Sequence, residues 1–264
     1  MNKRIPALLL LVFLMTALEA IAQDPVLTSG NFGLTNIGAG RSGPPGWYYI
    51  QYLQVYRAHL RKNAQGNRDD GRPLRNSIAS IHQVAFISKI KVLGGNFALN
   101  ALVPLQKATT TQGEAQSTNP NAVGDFLFGP YIQWYDQKIF GTDVFYRFGI
   151  NLVSPTGAYS HKYDINPGGH EFRIFPHFEF TLIPAEHLAI SIKNNRYMYF
   201  RKMGSPERAA TAYNLNYALE YHLNKSITID AVGYYLTQFG QDSFAGNDQY
   251  YRENYAIKDT RDDE

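Results

Sequence analysis

"TAYNLNYALEYHL" occupies Thr211 to Leu223. From Tyr213 onward every second residue is large and apolar or aromatic: Tyr213, Leu215, Tyr217, Leu219, Tyr221 and Leu223. Asn214, Asn216, Ala218, Glu220 and His222 lie between them. A period of two is that of a β-strand with one apolar and one polar face. Two folds accept such a strand. In a soluble sandwich the apolar face is the core. In an outer-membrane barrel it meets lipid and the polar face lines the lumen.

The same alternation recurs along the chain. "HEFRIFPHFEFTLI" (170–183) sets Phe172, Ile174, Phe178, Phe180 and Leu182 against Glu171, Arg173, His177, Glu179 and Thr181. "TDVFYRFGINLV" (142–153) sets Val144, Tyr146, Phe148, Ile150 and Leu152 against Asp143, Arg147 and Asn151. Nine strand-like segments are predicted, at 46–60, 77–92, 96–105, 124–137, 142–153, 170–183, 188–200, 211–223 and 227–239. Their connections alternate, long then short. Short turns fall at Gly94-Gly95, Gln137-Lys138, Pro184-Ala185 and Asn224-Lys225. Short periplasmic turns opposite long extracellular loops are a transmembrane-barrel pattern, and a soluble meander has no reason to follow it. Tyrosines on the apolar faces point the same way, because a dry core must find a partner for each hydroxyl while a lipid interface supplies headgroups and water. The expected fold is therefore all-β, an antiparallel up-and-down transmembrane barrel. A soluble secreted sandwich that binds a ligand is the alternative.

Composition agrees with export. The chain has 264 residues and no cysteine. Lys3 and Arg4 precede an apolar run from Leu8 to Met15, and Ala20-Ile21-Ala22 is a small-residue cleavage site. Residues 1–22 read as a signal peptide, too short to span a bilayer. An exported chain without disulfides needs another source of stability, which a closed barrel provides. Aromatic residues make up 14%, more than strand propensity alone explains and in keeping with interfacial girdles. A net charge of +3, with no basic stripe, gives no reason to expect nucleic acid. Residues 23–45 form a Gly-, Ser- and Pro-rich irregular lead-in, and 46–264 the barrel domain. Bacterial barrels have an even strand number, and this chain ends in "KDTRDDE" after a ninth strand. The sequence reading is that the barrel domain is C-terminally incomplete; a weak strand at 26–40 is the other way to make the number even.

The polar faces supply the candidate site. Asp143, Arg147, Glu171, Arg173, His177, Glu179, Asn214, Asn216, Glu220 and His222 are expected to line the lumen, either as a plug of ion pairs or as a polar channel. Inward Tyr131 and Phe145 would give apolar cargo something to touch. His170 with Glu171, and His177 with Glu179, are of a type that binds metal, and strand parity puts Glu171, His177 and Glu179 on one wall, but a hydrogen-bonded lumen network with Arg173 is the preferred reading. His161 lies near Ser160 and Asp164 in a predicted loop, and sequence adjacency does not make a nucleophile–base pair. No catalytic residue, metal or cofactor is assigned.

Three stretches are similar to a known family: "PPGWYYIQYLQVYRA" at the first strand, "GDFLFGPYIQW" at 124–134, and "SPTGAYSHKYDINPGGHEFRIFPHFEFT" from Ser154. In the last, Pro155-x-Gly157-x-Tyr159 and Gly168-Gly169 before an aromatic strand carry the likeness. From about Pro44 to Phe239 the chain resembles the outer-membrane family of the meta-pathway of phenol degradation. The resemblance implies a barrel of about twelve strands that moves small hydrophobic or aromatic compounds across the outer membrane. The partners implied are membrane lipid, such solutes and the machinery that assembles barrels. A structural or adhesive barrel without transport is the competing function.

Overall fold

The computed structural model describes residues 37–60, 68, 74–111 and 116–255. The expected signal peptide, the first part of the lead-in and the "KDTRDDE" tail lie outside them. Nine long strands form one sheet: β1 (Gly46–Arg57), β2 (Leu74–Val92), β3 (Gly95–Thr111), β4 (Leu127–Ile139), β5 (Thr142–Val153), β6 (Arg173–Ala185), β7 (Leu188–Tyr199), β9 (Thr211–His222) and β10 (Thr228–Phe239). Two-residue strands β8 (Glu207–Arg208) and β11 (Ser243–Phe244) pair with each other, and a short helix α1 (Tyr250–Tyr255) follows. The large sheet runs in chain order, β1-β2-β3-β4-β5-β6-β7-β9-β10, and every pair is antiparallel. It curls into a half-barrel; among the described residues β1 and β10 do not pair with each other.

Sidedness settles the fold. On β6 the buried residues are Arg173, Phe175, His177, Glu179 and Thr181, and on β9 they are Ala212, Asn214, Asn216, Ala218 and Glu220. Gln133, Thr181, Ser191, Asn214 and Asn216 are fully buried. Many of the barest strand residues are large and apolar: Trp47 is 74% exposed, Leu53 73% and Ile229 60%. Polar inside and apolar outside inverts a soluble core, and water cannot be the solvent of the outer face. The sandwich alternative falls on this observation. Stacked outward rings, such as Trp134 on Tyr146 at 4.9 Å, add to the lipid-facing band.

Strand lengths follow the alternation, with local differences. β3 continues through Thr111, so "QKATTT" is strand rather than loop. β6 begins at Arg173, later than the alternation suggests, so Glu171 belongs to the preceding loop. β8, β11 and α1 fall where the sequence shows only loop character. Register shifts at Ile87/Lys91, Trp134/Gln137 and Leu182/Ala185 all lie near the short turns, where bulges sharpen twist and help the sheet to curl.

Because Phe178 sits outward near the middle of β6, an arginine there would meet hydrocarbon. Phe178→Arg is expected to lower folding stability in phospholipid bilayers by about 2–4 kcal/mol, the cost of a cation at the bilayer midplane. Denaturant titration of the folded, heat-modifiable form measures it; an unchanged midpoint would mean that this face is not against lipid.

Candidate functional site: the inner face and its strap

The inner face has three zones. At its centre Glu179 collects three bases. Its carboxylate lies 3.0 Å from His177 Nδ1, 3.0 Å from Lys193 Nζ and 3.3 Å from Arg147 Nε. Register explains the convergence: Arg147 pairs with Glu179 across β5–β6, and Glu179 pairs with Lys193 across β6–β7. Gly149, opposite His177, leaves room for the imidazole, since a Cβ there would stand 2.5 Å from Nε2. A carboxylate this deep is tolerable only with such partners. The Arg147 guanidinium also lies over the Tyr131 ring, 5.6 Å from its centroid.

Toward the short turns the lead-in returns across the inner face as a strap. Gly38 N donates to Glu220 Oε1 at 3.0 Å, and Gly40 N to Thr181 Oγ1 at 3.1 Å. Gln133 Nε2 donates to Gly40 O at 2.9 Å. Arg147 Nη2 donates to Ala39 O at 2.7 Å and Arg41 O at 2.6 Å, and the Tyr135 hydroxyl to Gly43 O at 2.6 Å. The strap lies so close to the wall at Gly40 that a Cβ would stand 2.4 Å from Phe145 O and 2.5 Å from Thr181 N. Only glycine fits that approach. Arg41 lies 5.9 Å from the centroid of the Phe145 ring. Behind the strap, Ser191 donates to Glu220 Oε1 at 3.1 Å and shares a 2.9 Å bond with Thr181.

Toward the long loops the inner face turns aromatic and is capped. Val153, Phe175, Tyr197, Tyr199, Ala212 and Leu236 form a buried cluster, with Phe175 edge-on to Tyr197 at 4.5 Å. Above it Asp125 accepts from Arg173 Nη2 at 2.5 Å, Gly157 N at 2.9 Å and Gly169 N at 2.8 Å. One buried carboxylate thus clamps the β3–β4 loop, the β5–β6 loop and the start of β6. Gly157 and Gly168 lie back to back, where a Cβ on either would come within 2.7 Å of the other's backbone. This is the physical content of the glycines in the "SPTGAYSHKYDINPGG" stretch. Glu171, 4.0 Å from Arg173 Nε, borders the clamp. Desolvation pushes its carboxyl from the ordinary 4.5 up to about 7, against the pull of Arg173 and Lys202 and with the push of Asp125 and Asp242.

The ten expected lumen residues therefore divide. Arg147, Arg173, His177, Glu179, Asn214, Asn216 and Glu220 are on the inner face. Asp143 is at the short-turn rim, largely exposed and paired with Lys138 at 2.8 Å. His222 is at the same rim, 2.8 Å from Thr228 Oγ1. Glu171 is a loop residue at the opposite end, so it does not share a wall with His177 and Glu179 as strand parity suggested. His161, Ser160 and Asp164 do not converge: Asp164 accepts from Ser117 N and Oγ, both at 2.7 Å, and His161 touches Tyr159. Sequence reasoning missed Gln133, Thr181, Ser191, Lys193 and Asp125 as partners. For Lys193 and Ser191 the signal was there, in the parity of "AISIKNN".

The family model described as "Putative MetA-pathway of phenol degradation" matches residues 62–258, well over half of the chain, beginning after β1. No curated protein matches. Among solved structures, the crystal structure of an outer membrane channel from Pseudomonas putida F1 superposes with a TM-score of 0.63 at 13% identity, over 86% of this chain and 80% of that one. At that identity the likeness establishes the shared architecture.

Two outcomes are expected of this geometry. Glu179→Leu withdraws the anion that three bases share and should destabilise the folded form by about 3–5 kcal/mol; a smaller cost than 1 kcal/mol by denaturant titration would remove Glu179 from its central place. Glu171 binds its proton more tightly folded than unfolded. Its contribution is complete below pH 4.5 and is lost as pH rises toward 7. Melting curves should show that loss in the wild-type protein and a flatter pH dependence in Glu171→Gln across the same window.

Proposed function

The chain belongs to the MetA-pathway phenol-degradation family, and from that premise we propose that it is an outer-membrane channel for small hydrophobic or aromatic compounds. The observation that carries this reading is the composition of the inner face: aromatic rings interleaved with charged groups along one continuous surface. Tyr131 lies under Arg147, Phe145 under Arg41, and the Phe175–Tyr197 pair lies beyond them. A phenolic solute is amphipathic in the same way. Its ring can slide over aromatic faces and its hydroxyl can exchange hydrogen bonds with Asn, Glu and Arg side chains. A passage for inorganic ions alone gains nothing from the rings.

The strap sets the bore. It crosses the short-turn half of the inner face and is held through its backbone carbonyls and amides, so it narrows that half without blocking the aromatic half. In this reading the rings on the loop side of the inner face, beneath the Asp125 clamp, are what a solute contacts. The Glu179 cluster and the strap line the rest of the path. The competing reading, a barrel that only displays its loops, draws on the same dense bonding, which holds the strap firmly in place.

The separating experiment is planar-bilayer recording with the wild-type protein and with Gly40→Trp, whose side chain cannot fit between the strap and the wall. Conductance should rise severalfold in the variant, and liposomes carrying the wild-type protein should admit phenol and catechol faster than sugars of equal size. No conductance from either protein, with both shown to be folded by heat-modifiable mobility, would favour the display reading.

A further inference from the structure

Two of the four short turns are built against the usual preference. Leu93-Gly94 joins β2 to β3, and Phe140-Gly141 joins β4 to β5. Leu93 has φ 50 and Gly94 φ 81; Phe140 has φ 51 and Gly141 φ 78. Two left-handed residues in succession suit a two-residue hairpin, whose first position normally takes Asn, Asp or Gly. Leucine and phenylalanine bring a Cβ clash to that conformation and no polar atom to offset it. They are also bare, at 84% and 103% exposure. The turns are not loose: Trp134 Nε1 on β4 donates to Leu93 O at 2.9 Å, tying the two neighbouring hairpins together.

The apolar surface does not begin at the tips. Ile90, Val92 and Ile139 are exposed just before them. Ile90 and Val92 lie on the face opposite Lys91, whose ammonium bonds Asn96 on the inner side. The outward side of β2 thus runs on to Leu93; on β4 the exposed Gln137, opposite Val144, stands between Trp134 and Ile139 before Phe140. Exposed Lys89 precedes the first turn; Lys138, before the second, is paired with Asp143 at 2.8 Å. The other two short turns are tipped differently, by Glu186-His187 and by Asn224-Lys225-Ser226, where Asn224 Oδ1 accepts from Ser226 N and Ile227 N. Leu223 and Ile227 flank this last turn and are also exposed, but an apolar residue at the tip itself occurs only at the β2–β3 and β4–β5 turns among these four.

We propose that the Leu93 and Phe140 turns are membrane anchors. They enter the headgroup–acyl boundary of the leaflet on the short-turn side, with Lys89 against anionic phospholipid headgroups. Lipid is the occupant because at Leu93 the patch is continuous with the surface that lipid already covers. Its mixture of apolar tips and a flanking lysine is that of an interfacial segment. The strain of a large side chain in the left-handed region is then offset by burial in the acyl boundary, which water would not supply. Anchoring on one side only would fix the depth and tilt of the sheet in the bilayer.

The chain has no cysteine, so single labels report cleanly. Leu93→Cys, Phe140→Cys, His187→Cys and Ser226→Cys are each coupled to an environment-sensitive fluorophore in the full-length protein. Each is reconstituted in vesicles of phosphatidylethanolamine and phosphatidylglycerol, and the folded form is selected by heat-modifiable mobility. The expected result is blue-shifted emission at 93 and 140, quenched by headgroup-region nitroxide lipids and shielded from iodide on both sides of the membrane. Positions 187 and 226 should remain open to iodide. Replacing phosphatidylglycerol with phosphatidylcholine should weaken nitroxide quenching at 93. Equal iodide quenching at all four positions would overturn the proposal, as would shielding at 93 and 140 that requires added periplasmic extract, which would mark a protein partner instead. Neither result depends on whether the barrel conducts.

Discussion

A single sheet that divides hydrocarbon from water governs everything else in this molecule. Each strand must present apolar side chains to one solvent and polar side chains to the other, and a strand does so only with strict period-two alternation. Backbone groups in lipid must be bonded within the sheet, which favours long antiparallel neighbours in chain order. The connections then separate onto two ends. At one end short turns suffice; at the other the loops are free to lengthen and fold on each other. The Asp125 clamp and the Glu179 cluster follow from the same constraint. A polar face curled around a narrow space becomes buried, and its charges persist there only by pairing.

The parts of the fold legible in the sequence are those dictated locally. "HEFRIFPHFEFTLI" announces a strand with His177 and Glu179 on one side because alternation needs no knowledge of the rest of the chain. Parity misleads where a strand stops being a strand: Glu171 is in phase with Arg173 and Glu179, yet it precedes β6 and sits in the loop clamp. Asp143 and His222 are in phase as well but lie at the rim, because alternation gives the side of the sheet and not the depth. The strap was illegible for a different reason. Its partners, Thr181, Gln133, Arg147 and Glu220, are between 93 and 182 residues away in the chain for the contacts made by Gly38 and Gly40, and no local pattern encodes them.

Glycines are the trace such contacts leave. The strap is recognised mostly through its backbone carbonyls and amides, so few side chains in 37–44 are specified by the contacts. What is specified is the absence of a Cβ at Gly40, where the strap meets the backbone of β5 and β6. Gly157 and Gly168 are specified in the same way where two loops meet over Asp125. "GAGRSGPP" and "NPGG" read in isolation as turn signals, and in the structure they are close approaches. The sequence shows that the backbone must be bare there and not what lies against it.

The two ends of the inner face differ in how they are held, and this bears on how a solute could pass. At the loop end the clamp depends on charge: Arg173 serves Asp125, with Glu171 beside it carrying a carboxyl that titrates near neutrality. At the short-turn end the strap is held largely through neutral backbone groups, with Arg147 and Glu220 acting as charged partners to carbonyls and an amide. Hydrogen bonds of a charged group to backbone are strong individually, but each can be replaced by water at modest net cost. A strap bound this way can shift by exchanging backbone partners without exposing an unpaired charge, because Arg147 keeps Glu179 whether or not Ala39 and Arg41 remain in reach. The loop clamp differs: releasing Asp125 would take from the buried Arg173 guanidinium its 2.5 Å carboxylate partner. Movement along the passage is therefore cheaper at the strap than at the cap, and the aromatic zone between them lies next to the more rigid end.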